Sequence, residues 1–181
     1  MRTVSLAMNI SLDGYVAGPA GELDWIFQSM DPELTAWVTG FLRGVDTVII
    51  GSRTYLEQAA MWPTQSGEMA DLLNSHQKIV FSKTLQDLTW ANSRLASGDP
   101  LNEVERLKAT SGKNLFVTGG ATMARSMLVE GLIDDYHLAV HPVLLGQGRS
   151  LLADLEVSRA LVLVSSRTFP SGTVHLTYRR A

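Results

Sequence analysis

LFVTGGATMARSMLVEG, residues 115–131, is the stretch whose reading decides the fold. Leu115–Val117 is an apolar run too short for a helix and bounded by turn residues, so it reads as a buried strand. Gly119 and Gly120 permit a tight turn, and Ala121 to Glu130 carries a helical pattern that Gly131 stops. A buried strand that passes through a glycine turn into a helix is a building unit of parallel sheets.

The same succession continues on both sides. Val4–Ile10, Thr47–Ile50, Lys78–Phe81 and Tyr136–Leu145 read as further buried strands. Helices are predicted over Asp31–Leu42 and Leu101–Thr110, each behind an aspartate N-cap and a first-turn proline, Asp31-Pro32 and Asp99-Pro100. Two closing strands, Leu161–Ser165 and Thr173–Tyr178, flank Phe169-Pro170-Ser171-Gly172, whose turn chemistry makes them an antiparallel pair. The fold class is therefore α/β, a single domain over residues 1–181. Its central, mostly parallel sheet carries helices on both faces and an antiparallel C-terminal edge.

Composition narrows the function. A net charge of −3 lacks the basic footprint of a protein that neutralises many phosphates, so nucleic acid is not an expected partner. Without cysteine there is no disulfide, thiolate metal site or cysteine nucleophile, which fits a reducing compartment. The apolar N-terminal run meets Asn9 and Asp13 too soon for a signal peptide or a membrane span, and a cytoplasmic protein with no membrane partner is expected.

Three strand ends carry phosphate-compatible residues. Gly119, Gly120, Ala121 and Thr122 open a helix with exposed amides; Gly51-Ser52-Arg53-Thr54-Tyr55 sets two hydroxyls and a cation at another helix start; Ser82-Lys83-Thr84 repeats hydroxyl and cation after Phe81. Ligands of open α/β sheets bind outside the carboxyl ends of the strands, where these segments should meet. The combination suggests a dinucleotide, with Arg53 and Lys83 on an extra ribose phosphate, and so NADPH rather than NADH.

The loop 11–25, with glycines at 14, 18 and 21 and a proline at 19, is expected to be irregular and mobile, and it could serve as a lid. It holds Asp13, Glu22, Asp24 and Trp25. Trp62, in Met61-Trp62-Pro63, offers an aromatic face either to a planar substrate or to the core. His137 and His141 are four apart, but on a strand that spacing spans about 13 Å, too far for one ion, and no metal site is predicted.

Taken in order, Ser11-Leu12-Asp13-Gly14, Gly21-Glu22-Leu23-Asp24-Trp25, Gly51-Ser52-Arg53-Thr54-Tyr55, Val80-Phe81-Ser82-Lys83, Val117-Thr118-Gly119-Gly120, Gly131-Leu132-Ile133-Asp134-Asp135 and Pro142-Val143-Leu144-Leu145-Gly146-Gln147-Gly148 resemble the dihydrofolate reductase superfamily. Within it they are most similar to the C-terminal reductase domain of the bifunctional riboflavin-biosynthesis deaminase-reductase. The resemblance implies a dihydrofolate reductase-like three-layer fold with a sheet of about eight strands, NADPH as cofactor, and a homodimer.

On that resemblance, Gly119, Gly120, Ala121 and Thr122 lie against the cofactor pyrophosphate. Ser52, Arg53 and Thr54 meet the adenosine ribose phosphate, with Ser82 and Lys83 as the companion segment and Trp25 against the cofactor. Asn9, Gly51, Thr118 and Met123 complete the expected cofactor-binding set, and Asp24, Trp62 and Thr118 are the expected substrate contacts. Three positions depart from the pattern: Asp24 precedes Trp25 where folate enzymes place a carboxylate after it, Thr118 replaces a glutamate of the riboflavin branch, and Ser52 replaces an arginine.

The expected activity is hydride transfer to a C=N or C=O group of a small pyrimidine- or pterin-like heteroaromatic, with Asp24 and then Asp13 as proton relays. The rival expectation is a regulatory protein that binds NADPH without catalysis.

Overall fold

Alternation along the strands shows why the sheet is covered on both sides. Ile49, Ile79, Leu115 and Val117 are fully buried toward one face, whereas Val48, Ile50, Val80 and Phe116 point into a second cluster on the other. Burying each such aliphatic side chain contributes about 1.5–3 kcal/mol, so both faces demand helices.

The structure, a computed structural model, describes residues 1–153, 155 and 157–181. Its strands are β1 (Val4–Ser11), β2 (Tyr15–Ala17), β3 (Val45–Gly51), β4 (Gln77–Phe81), β5 (Ser93–Leu95), β6 (Asn114–Val117), β7 (Asp135–His141), β8 (Arg149–Ser150), β9 (Leu161–Thr168) and β10 (Val174–Arg180). Its helices are α1 (Asp24–Phe27), α2 (Pro32–Arg43), α3 (Ser52–Met61), α4 (Glu68–Ser75), α5 (Pro100–Lys108) and α6 (Ala121–Val129).

Among the described residues, eight strands form one sheet in the order β5-β4-β3-β6-β1-β7-β10-β9. The first six run parallel, and β10 pairs antiparallel with both β7 and β9. Helices α5 and α6 pack on one face through Val104, Leu107, Met123, Ala124, Met127 and Leu128; α2, α3 and α4 cover the other through Leu42, Tyr55 and Leu73.

The expected caps are present. Asp31 accepts from the Leu34 amide at 2.8 Å and Asp99 from that of Asn102 at 2.9 Å. The expected hairpin closes with Phe169 and Thr173 paired by a backbone bond of 2.9 Å. Lys78, fully buried at the second residue of β4, donates to the carbonyls of Leu73 (3.0 Å), Asn74 (2.9 Å) and His76 (2.9 Å) and so closes the C-terminus of α4.

Two expectations are corrected. The apolar run Tyr136–Leu145 is not one long strand: β7 ends at His141, because Pro142 has no amide to extend the ladder. The loop 11–25 is also more ordered than its glycines suggest. Within it, β2 pairs with β8 in a second, two-stranded sheet, and α1 makes a single turn.

Candidate functional site

The carboxyl ends of β1, β3, β4, β6 and β7 share one edge of the sheet, and the turn after β6 has the most open polar backbone there. Gly119 and Gly120 adopt φ +67° and +50°, which L side chains rarely hold. Among the described residues no acceptor meets the amides of Gly119, Gly120, Ala121 and Thr122. Four unclaimed donors at a helix start suit an anion.

The turn is built around the next strand's helix. A Cβ on Gly119 would stand 2.0 Å from Thr54 Cγ2, and one on Gly120 would stand 3.2 Å from Thr54 Oγ1. Gly51, the N-cap of α3, packs 3.5 Å from the Met123 Cβ by the same measure. The structure thus brings Gly51, Thr54, Gly119, Gly120 and Met123 together, with Ser52 and Arg53 on the same helical turn and Thr118 tied to β3 through its amide (3.2 Å to the Ile49 carbonyl).

Other expected residues are placed differently. Ser82 spends its hydroxyl on its own turn, accepting from the amides of Thr84 (3.1 Å) and Leu85 (2.9 Å). Lys83 is exposed, and no contact among the described residues joins it to Arg53. Trp62 packs against the core under α3 and α4, its carbonyl accepting from Asn74 Nδ2 at 3.1 Å, away from the glycine turn. Asp24 is exposed at the start of α1, and its carboxylate makes no hydrogen bond to a described residue.

Asp13 has a task of its own. Its carboxylate accepts from Ser11 Oγ (2.6 Å) and from the amides of Gly146 (2.7 Å) and Leu145 (3.1 Å), and these bonds, the Ser11 hydroxyl foremost, hold its pKa below the usual carboxylate range. With its oxygens so engaged, Asp13 latches one loop to another, a task apart from the proton relay expected of it.

Sequence reasoning missed His141. This fully buried ring lies opposite Ser11 in the β1–β7 register, with Nδ1 at 2.6 Å from Ser29 Oγ, Nε2 at 2.9 Å from Asn9 Oδ1, and the Trp25 indole edge-on at 5.4 Å. Burial pushes its pKa down to about 4, so the ring is neutral at pH 7. An amide oxygen can only accept; Nε2 therefore carries the proton, Nδ1 accepts from the Ser29 hydroxyl, and the Asn9 amide is turned so that its NH2 faces away from the ring.

His137 belongs to another cluster, beside Phe41 (4.9 Å) and His175 (5.6 Å), so the two β7 histidines serve separate environments. A depression of about 290 Å3 lined by Met1, Arg2, Lys108, Asp134, Arg179 and Arg180 lies at the opposite edge, where β1 begins. Ion pairs fill it, Lys108 with Asp134 at 2.7 Å among them.

Strand order, hairpin edge and a glycine turn at the carboxyl ends of the strands define an α/β protein of the dihydrofolate reductase-like class. The chain belongs to the RibD C-terminal domain family, whose model matches residues 2–175. It is 33% identical to the uncharacterised Bacillus subtilis protein YyaP, over 98% of this chain and 94% of that one. A Shewanella sp. PV-4 protein, provisionally assigned to riboflavin biosynthesis, superposes with a TM-score of 0.82 at 26% identity, covering 100% of this chain and 99% of the other. The Thermotoga maritima diaminohydroxyphosphoribosylaminopyrimidine deaminase/5-amino-6-(5-phosphoribosylamino)uracil reductase shares the fold, with a TM-score of 0.71 at 17% identity, over 99% of this chain and 57% of that one.

Proposed function

We propose that this chain is an NADPH-dependent reductase that delivers a hydride to a C=N or C=O carbon of a small pyrimidine- or pterin-like heteroaromatic. One observation carries the reading: the amides of residues 119–122 are unclaimed at a helix start, on a turn that only glycine allows to close against Thr54 of α3. Bound NADPH supplies the hydride from its nicotinamide C4. The glycine turn with Ser52 and Thr54 holds the phosphates, Lys83 answers the ribose phosphate, and Trp25 with the neutral His141 walls the end of β1. There Asn9, oriented by His141, presents its NH2 to a ring carbonyl or nitrogen. Asp24, with a water reached through Thr118 as the alternative, brings the proton. The pyrimidine named for the Thermotoga neighbour supports the substrate class.

The exposure of Asp24 favours a second reading, a regulatory NADPH-binding protein without turnover. Purified protein should gain about 2.7 kcal/mol of stability at a hundredfold excess of NADPH over its Kd. It should also oxidise NADPH against some member of a panel of pyrimidines, pterins, quinones and imines, followed by absorbance. Binding without oxidation across the panel selects the regulatory reading, and no stabilisation at all removes both.

The homodimer also has a surface on which to form. All of β9 is exposed, and Leu161, Val162, Leu163 and Val164 present an apolar edge strand with unpaired backbone on one side. Sedimentation velocity at micromolar concentration should show a dimer that Val162→Lys dissociates; a monomeric wild type ends this part of the reading.

A further inference from the structure

Arg149 lies outside every motif that sequence reading singled out, yet its position is closely fixed. Gly148 (φ +153°) is pressed on β2 so tightly that a Cβ there would stand 2.3 Å from the Ala17 carbonyl oxygen. Arg149 pairs with Ala17 across the small sheet, and Ser150 Oγ accepts from the amides of Leu152 (3.2 Å) and Ala153 (3.0 Å). Upstream, the Asp13 carboxylate holds the amides of Leu145 and Gly146. This clamped platform delivers the Arg149 guanidinium to the turn 18–22.

Arg53 arrives at the same turn from α3. A Cβ on Gly21 (φ +98°) would stand 3.0 Å from Arg53 Nη2 and 3.3 Å from Arg149 Nη2, so both guanidiniums flank one point. Neither guanidinium has a strong anionic partner among the described residues: that of Arg53 pairs with Glu57 in an exposed i,i+4 pair at 3.0 Å, and that of Arg149 makes no hydrogen bond. Glu22, the nearest carboxylate along the chain, is folded back on its own turn and accepts from the Ala20 amide at 3.0 Å. Two cations brought together with nothing negative between them form a receptor for an anion. Thr54, the residue after Arg53, is the one against which Gly119 and Gly120 pack, so the first turn of α3 joins the guanidinium pair to the turn that carries the four unclaimed amides.

We propose that Arg149 and Arg53 form a two-guanidinium site for the pyrophosphate of the dinucleotide, with Arg149 reaching it from β8 across the turn at Gly21. The inference rests on the cofactor reading above. It moves Arg53 from the ribose phosphate, where the sequence placed it beside Lys83, to the pyrophosphate. A pyrophosphate is common to NADPH and NADH, whereas a ribose phosphate is not.

Calorimetric titration of wild type, Arg149→Ala and Arg149→Lys with NADPH and NADH tests the site, with inorganic pyrophosphate as a third probe followed by thermal shift. Arg149→Ala should weaken both dinucleotides by a similar factor, tenfold or more, and lose the pyrophosphate shift; Arg149→Lys should recover part of each; the ligand-free melting temperature should not move. Unchanged affinities, or a loss confined to NADPH, overturn the assignment. A wild type that ignores both dinucleotides but responds to pyrophosphate through Arg149 keeps the anion site and discards the cofactor reading. Silence toward all three probes discards both.

Discussion

Gly119→Ala should remove tight NADPH binding and cost about 2–4 kcal/mol of stability. Two costs combine. A φ of +67° strains an alanine by about 1–2 kcal/mol. The added Cβ would also stand 2.0 Å from Thr54 Cγ2 and 2.8 Å from Thr54 Cβ, distances no folded chain sustains, so the first turn of α3 must give way. That movement carries Arg53 with it and misaligns the amides of residues 119–122, coupling the stability loss to cofactor affinity.

Gly120→Ala is the control. Its φ of +50° carries similar backbone strain, but its Cβ would meet only Thr54 Oγ1, at 3.2 Å, so it should be the milder variant. Thr54→Ser in the Gly119→Ala background removes the worst contact and should restore part of the denaturation midpoint. Denaturant unfolding with calorimetric NADPH titration reads all four proteins. A Gly119→Ala protein no less stable than Gly120→Ala, or a Thr54→Ser background that restores nothing, contradicts the packing argument.

Local signals carried the fold. The caps at Asp31 and Asp99, the glycine turn at 119–120 and the turn at 169–172 each fix backbone geometry through the residues themselves, and each appears where the chain predicts it. Pairings between distant segments were not legible. Strands β2 and β8, of three and two residues, exist only because each finds the other, and β5 is a three-residue edge that β4 recruits. Apolarity could not tell an interior strand from an edge: Tyr136–Leu145 and Leu161–Ser165 read alike, yet β7 lies inside the sheet and β9 lies bare at its margin.

The candidate site divides along the same line. The glycine turn is local and was visible. The Asn9–His141 bond joins residues 132 positions apart and needs the β1–β7 register, while Arg149 comes near Arg53 through the β2–β8 pair, so neither could be found before those pairings were known. Spacing said of His141 only that it and His137 are too far apart for one ion; register makes it the residue that orients Asn9.

Stability should fall by about 3–4 kcal/mol between pH 7 and pH 5, earlier than ordinary acid unfolding through carboxylates. His141 and His175 are buried, and burial pushes each down to about 4, for His175 with the neighbouring His137 adding to the effect. A histidine whose folded pKa lies below its unfolded value of about 6.5 binds more protons unfolded than folded. Its stabilisation is therefore whole above about pH 6.5 and drains as pH falls toward 4, at roughly 1.4 kcal/mol per unit for each ring. His137, also lowered chiefly by burial, adds in the same direction. The carboxylates act later: Glu103, buried and held near 2 against desolvation by Arg94, Ser97 and Arg106, protects the fold until well below pH 4.5.

The surroundings of the two rings predict different outcomes for their replacement. Around His175 lie Trp37 at 3.7 Å, His137 at 5.6 Å and, across the β9–β10 pair, Arg167, and its buried Nε2 has no hydrogen-bond partner. His175→Leu should thus leave stability at pH 7 equal or higher, because an unsatisfied polar atom is removed, while halving the slope between pH 7 and pH 5. His141→Leu strips Ser29 Oγ and Asn9 Oδ1 of their shared partner, so it should cost stability already at pH 7 and raise KM or lower kcat through a misdirected Asn9. Urea midpoints at pH 7, 6 and 5 decide the matter. A wild-type midpoint that stays level over that range, or a His175→Leu slope equal to wild type, shows that these rings are not what acid acts upon.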